Sequence, residues 1–132
     1  MIDPNNPCVF CKIKIQDSIF YNSDAFVTYD SYPVSKYHSL IFPKRHILNF
    51  FELTKDELLA CNDLIKKIKE KILKDDKSVL GFNLGTNSGK VAGQSIMHCH
   101  IHLIPRREGD VDNHQGGVRG VIPSKQHYKR RK

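Results

Sequence analysis

The chain has 132 residues, about one domain's length, with 39% hydrophobic and 27% charged residues. That balance excludes general disorder, and no apolar run approaches the ~20 residues of a membrane-spanning helix. The net charge is +7, but residues 114–132 hold six basic residues and no acid, which leaves 15 basic against 14 acidic side chains elsewhere. A basic end of this kind reads more simply as a solvated tail than as a nucleic-acid surface. The start, Met1-Ile2-Asp3-Pro4-Asn5-Asn6-Pro7, has neither the basic nor the apolar region of a secretory leader, which points to the cytoplasm. In a reducing compartment the pair Cys8 and Cys11 reads as a metal or redox site, not a disulfide.

Residues 18–21 and 25–29 are short β-prone runs, joined by the loop Asn22-Ser23-Asp24. A third strand spans 37–42 and is stopped by Pro43. Thr54 followed by Glu57 reads as a capping box, and Leu58, Cys61, Ile65, Ile68 and Ile72 lay one apolar stripe along the helix that follows. Residues 79–85 form a fourth strand, a Gly- and Asn-rich loop runs from 86 to 93, and a fifth strand spans 96–105. Strands with one helix inserted mid-chain predict an α+β domain, an antiparallel sheet with the helix on one face.

The fifth strand carries the chemistry. Alternation places His98, His100 and His102 on one face, with Cys99, Ile101 and Leu103 on the other. Chance placement of three of the chain's seven histidines in this way is improbable. Two chemistries suit it: a three-histidine metal site, or nucleophilic attack on phosphorus by one imidazole whose neighbours orient it and bind phosphoryl oxygens.

His98-Cys99-His100-Ile101-His102-Leu103-Ile104 resembles the signature of the histidine triad (HIT) family, histidines alternating with apolar residues. The likeness extends to Cys8-Val9-Phe10-Cys11-Lys12-Ile13, similar to an N-terminal zinc half-site of bacterial members. It continues in residues 26–33 with Asp30, in residues 38–47, in Asn83, and in Ala92-Gly93-Gln94-Ser95. The resemblance implies a five-stranded antiparallel sheet with one long and one short helix, extended by pairing with a second copy into a homodimer. It divides the chain into a HIT domain at 1–123 and a basic tail at 124–132.

The resemblance also implies cleavage at the α-phosphate of a nucleotide through a nucleotidyl-histidine intermediate. His100 would be the nucleophile, flanked by His98 and His102, with His102 steadying the phosphoryl oxygens. Gln94 and Ser95 would donate to the departing oxygen, Asp30 would bind the ribose hydroxyls, and Asn83 would contact phosphate. Structural zinc would sit on Cys8, Cys11, His46 and His98, a closed Cys₂His₂ set. Cys61 and Cys99 read as inert packing residues, and His38 as equally a structural histidine. Residues 92–94 and 104–110 resemble members that hydrolyse dinucleoside polyphosphates, and Arg106, Arg107 and Arg119 could bind the extra phosphates. Ser95 and the cysteine pair resemble adenosine phosphoramidases, which release amines or lysine from AMP. The competing class, a zinc module that binds RNA through its basic end, leaves the triad unexplained.

Overall fold

A computed structural model of the chain describes residues 8–131; residues 1–7, read above for the lack of a leader, and Lys132 lie outside the described residues. Five strands, β1 (Phe20–Tyr21), β2 (Ala25–Tyr29), β3 (Ser39–Pro43), β4 (Val79–Thr86) and β5 (Ile101–Arg107), form one sheet in the order β1-β2-β3-β5-β4. Every neighbouring pair is antiparallel. The helix α1 (Lys55–Asp75) follows β3 and packs on one face. The expected short helix takes the form of 3-10 turns, such as Phe50–Glu52. No helix among the described residues is long and apolar enough to cross a membrane.

Alternation along the strands sorts the two faces. Ala25, Val27, Ile41, Ile101 and Leu103 meet Ala60, Cys61, Leu64, Ile68 and Ile72 of α1 in the main core. The expected stripe is rotated. Leu58 is exposed and Leu64, not Ile65, is fully buried, because the four-residue spacing of 60, 64, 68 and 72 keeps one line of contact with the sheet. On the opposite face Phe26, Leu40 and Phe42 form a second cluster, closed by Phe10.

The start of α1 is tied to the turn after β3. Thr54 Oγ1 accepts from the Glu57 N–H at 3.1 Å, and Glu57 Oε1 accepts from the Thr54 N–H at 2.9 Å, as the capping box requires. The same buried carboxylate accepts from Arg45 Nη2 at 2.7 Å and Nε at 3.0 Å. Arg45, with Thr54, holds the Glu57 carboxyl at about 2, well below the usual range. A cap of this kind contributes about 1 kcal/mol. It also locates His46, the residue after Arg45.

The fifth strand begins later than expected. Its ladder with β3 stops at Ile41↔Ile101, two residues before β3 itself ends, and that with β4 stops at Thr86↔Ile101, so residues 96–100 lie outside both ladders. Pro43 has no N–H to extend the β3 ladder. Only His102 of the triad lies within the sheet, opposite Leu40 and Gly85. His98 and His100 stand on the approach to it, held where the Cys99 N–H donates to Ile47 O at 2.8 Å and Thr86 Oγ1 donates to His100 O at 2.7 Å.

Candidate active site and metal centre

Each triad imidazole has a distinct set of partners, and these fix its tautomer. His100 Nδ1 lies 2.8 Å from the His98 carbonyl oxygen, to which it can only donate. The proton is therefore on Nδ1, and Nε2 carries the lone pair a nucleophile needs. His98 Nε2 is 2.8 Å from Pro43 O and is likewise a donor, which leaves its Nδ1 unprotonated. Burial lowers the His98 pKa and keeps the ring neutral.

The unprotonated His98 Nδ1 faces a cluster of metal donors. It is 3.5 Å from both Cys8 Sγ and Cys11 Sγ and 3.1 Å from His46 Nδ1, which is itself 3.1 Å from Cys11 Sγ. The four donor atoms all lie within 4.8 Å of one another. Tetrahedral zinc, with bonds of about 2.3 Å to sulfur and about 2.0 Å to nitrogen, has S···N edges of about 3.5 Å and N···N edges of about 3.3 Å. The residues therefore fit zinc, and the Pro43 bond supplies the second contact that orients a ligating imidazole.

A second convergence joins Asp30, His38 and His102. The Val34 N–H donates to His38 Nδ1 at 3.1 Å, so the His38 proton is on Nε2. That Nε2 lies 2.9 Å from His102 Nδ1 and 3.4 Å from Asp30 Oδ2. His102 Nδ1 is thus an acceptor, and the His102 proton is left on Nε2. The same logic disfavours a metal here, since ligation by His38 Nε2 would cost the Val34 bond. Burial lowers the pKa of His38, and burial with the neighbouring His100 and His38 brings His102 down to about 4. His38 and His102 therefore stay neutral near pH 7.

His38 was legible only as an equally structural histidine, because its partner stands 64 residues away. Phe10 carried no signal at all. It stacks on Phe42 with centroids 4.6 Å apart and meets the His98 and His100 rings edge-on at 5.7 and 5.1 Å, so the segment between the two cysteines packs on these two histidines.

Other expected site residues fall differently. Asp30 stands beside His38, its Oδ1 accepting from the Tyr32 N–H at 2.8 Å. Asn83 and His102 line a cavity of about 930 Å³ over β4 and β5, together with Asn87. Gln94 does not line it. Its buried amide donates to Leu48 O at 2.6 Å and Ile96 O at 3.1 Å and accepts from the Gly89 N–H at 2.9 Å, so in this structure it holds the loop together. Ser95 is exposed on that loop. Burial pushes the Cys61 thiol up to about 12 and the Cys99 thiol up to about 11, which leaves both inert packing groups.

The three arginines read as phosphate ligands are held by the protein itself. Arg106 donates from Nε and Nη2 to Asp110 at 2.7 and 2.9 Å, and from Nη1 to Asn83 Oδ1 at 2.7 Å. Arg107 reaches Asp76, Ser78 and the Lys36 carbonyl. Arg119 donates to the carbonyls of Lys125 and Gln126.

Residues 12–109 match the HIT domain. The chain belongs to the HIT family. It is 40% identical over 108 residues to an uncharacterized HIT-like protein of Methanocaldococcus jannaschii, covering 78% of this chain and 81% of that one. It is 34% identical to the adenosine 5′-monophosphoramidase of Candida albicans, over 76% of this chain and 71% of that protein. Among solved structures it resembles a hypothetical histidine triad nucleotide-binding protein from Sulfolobus tokodaii (TM-score 0.71, 35% identity, 77% of this chain and 70% of that one). It also resembles a zinc-bound histidine triad family protein from Mycobacterium smegmatis (TM-score 0.70, 28% identity, 79% and 78%).

The donor geometry of this HIT protein predicts about one zinc per chain by metal analysis after purification without chelator. Replacing Cys8 and Cys11 together by Ser should abolish it. Stoichiometric zinc in that double variant would refute the assignment.

Proposed function

We propose that this protein hydrolyses a nucleotide at its α-phosphorus through a nucleotidyl-His100 intermediate. The observation that carries the reading is the pair of opposed tautomers: His100 presents a lone pair on Nε2 while His102 keeps a proton on Nε2. One attacks and the other donates a hydrogen bond to a phosphoryl oxygen. In the first step the bond from His100 Nε2 to phosphorus forms, and the bond to the leaving group breaks as that group takes a proton from solvent. In the second, water attacks phosphorus, the electron pair returns to Nε2, and the water's proton leaves to solvent.

The His98 carbonyl does more than orient the ring. Attack turns His100 into a cationic imidazolium, so its Nδ1–H bond becomes charge-assisted. Such bonds contribute about 1.5–3 kcal/mol against 0.5–1.5 for neutral ones, so the contact stabilises the transition state more than the resting enzyme. Zinc on Cys8, Cys11, His46 and His98 would have no open position and would supply a cross-link that holds the His98 backbone. Asp30, on the β2 side of His102, is suited to the ribose hydroxyls.

The leaving group is proposed to be an amine, as in an adenosine phosphoramidate. Of the charged groups along the cavity, Arg106 is neutralised by Asp110, and Asp112 adds a further negative charge. A polyphosphate chain would meet no unpaired arginine there, which moves the reading away from the dinucleoside polyphosphates that the sequence favoured. The Candida albicans relative is an adenosine 5′-monophosphoramidase, which agrees. The proposed setting is the cytoplasm.

Homodimerisation is part of the same proposal. Strand β4 is the longest in the sheet and stands at its edge, with Leu80 and Leu84 exposed. A long apolar edge invites a second copy. Light scattering should give the dimer mass at micromolar concentration, and a monomer there would remove this element.

The chemistry is tested by His100→Asn. This variant should fold, keep nucleotide affinity and lose turnover of adenosine 5′-phosphoramidate by at least about a thousandfold. Brief mixing of the unmodified protein with substrate should leave an acid-labile adenylyl group on His100. Wild-type-like turnover by His100→Asn would refute the mechanism, and faster cleavage of diadenosine polyphosphates than of phosphoramidates would refute the choice of leaving group.

A further inference from the structure

The glycine-flanked Arg119 has no part in the chemistry above, yet its surroundings are closely built. Its guanidinium donates from Nε to Gln126 O at 3.2 Å and from Nη2 to Lys125 O at 2.9 Å, and lies 4.6 Å from the centre of the Tyr128 ring. Three further bonds close the same segment: His127 Nε2 to Asn113 O at 2.9 Å, the Tyr128 N–H to Gln115 Oε1 at 3.1 Å, and Gln126 Nε2 to Gln115 O at 3.4 Å. None of residues 113–128 is fully buried, so polar bonds and the Arg119–Tyr128 stack, not an apolar core, give this segment its shape. It crosses the expected boundary between domain and tail at 123.

Two glycines make the fold of this segment feasible. Gly116 has φ +87°, and a Cβ there would collide with the Gln126 carbonyl oxygen. Gly117 has φ +47°, and a Cβ there would come within 3.1 Å of Asn83 Nδ2. The first contact closes the segment on itself, and the second seats it on β4, where Asn83 is also bonded to Arg106.

The seated segment contributes one wall of the cavity that His102 also lines. Val118 and Val121 on that wall are 60% and 77% exposed, unusual for valines facing a concave site. On the proposed reading the nucleoside lies on the Asp30 side of His102. The β4 side, where this wall stands, is then left to the group being displaced.

We infer that Arg119 is a positioning residue for leaving-group recognition: by fastening residues 113–128 it holds Val118 and Val121 against an apolar substituent on the departing amine. The inference rests on the proposed hydrolase reading for its direction, but not for its test. The wall selects by shape and apolar contact, so it favours a bulky aryl or alkyl amine over ammonia. A methylene-sized contact of this kind is worth at least about tenfold.

The test measures binding of two probes to His100→Asn, adenosine 5′-phosphoramidate and its N-naphthyl derivative. The affinity ratio of bulky to small probe should exceed one, and should fall about tenfold when Arg119→Ala is added. Gly116→Ala should produce the same fall by displacing Gln126, which covers the case that Arg119→Ala does not fold. Truncation after Tyr128 removes the remaining basic residues and should leave the ratio unchanged. A ratio that neither Arg119→Ala nor Gly116→Ala alters, or one that follows the truncation, overturns the inference. If the ratio behaves as expected while the unmodified protein turns over no nucleotide, the hydrolase reading fails and the role of Arg119 as a binding determinant stands.

Discussion

The structure depends on one hydrogen bond, from His100 Nδ1 to the carbonyl oxygen of His98 at 2.8 Å. It fixes which nitrogen of His100 carries the lone pair, and it is made by a residue whose own ring is held on two sides. His98 Nε2 is bonded to Pro43 O, and His98 Nδ1 faces Cys8, Cys11 and His46. The backbone between the metal-ligand cluster and the proposed nucleophile is two residues long. Anything that fixes the His98 ring therefore fixes the acceptor for His100, and the cluster can serve the chemistry without touching substrate.

The same economy keeps His38, His98 and His102 neutral. Burial lowers the pKa values of His38, His98 and His102, and the three backbone contacts at Val34, Pro43 and His98 decide where each proton sits. Protonated rings at these distances would repel one another. Asp30, placed beside His38, partly opposes the effect of burial there. A catalytic face can thus be assembled from one residue type, with the roles separated by backbone carbonyls and N–H groups.

Much of this was legible because it is local. The alternation of His98, His100 and His102, the capping box at Thr54 and Glu57, and the cysteine pair with two residues between all follow from neighbours in the chain. What was not legible depends on groups far apart in sequence. Arg106, Arg107 and Arg119 look like free cations until Asp110, Asp76 and the carbonyls of 125 and 126 are set beside them. Gln94 looks like a donor to substrate until Leu48 O and Ile96 O take its amide hydrogens. The late start of β5 follows from where its ladders with β3 and β4 stop, which periodicity within 96–105 does not contain.

The central claim concerns proton positions, and long-range proton–nitrogen NMR of the zinc-loaded protein near neutral pH reads them directly for each ring. The account predicts His100 protonated on Nδ1 with a bare Nε2, and His38 and His102 each protonated on Nε2. Finding the His100 proton on Nε2, or His102 protonated on Nδ1, would contradict it, since the nucleophile would then have no lone pair to offer or its neighbour no hydrogen to donate.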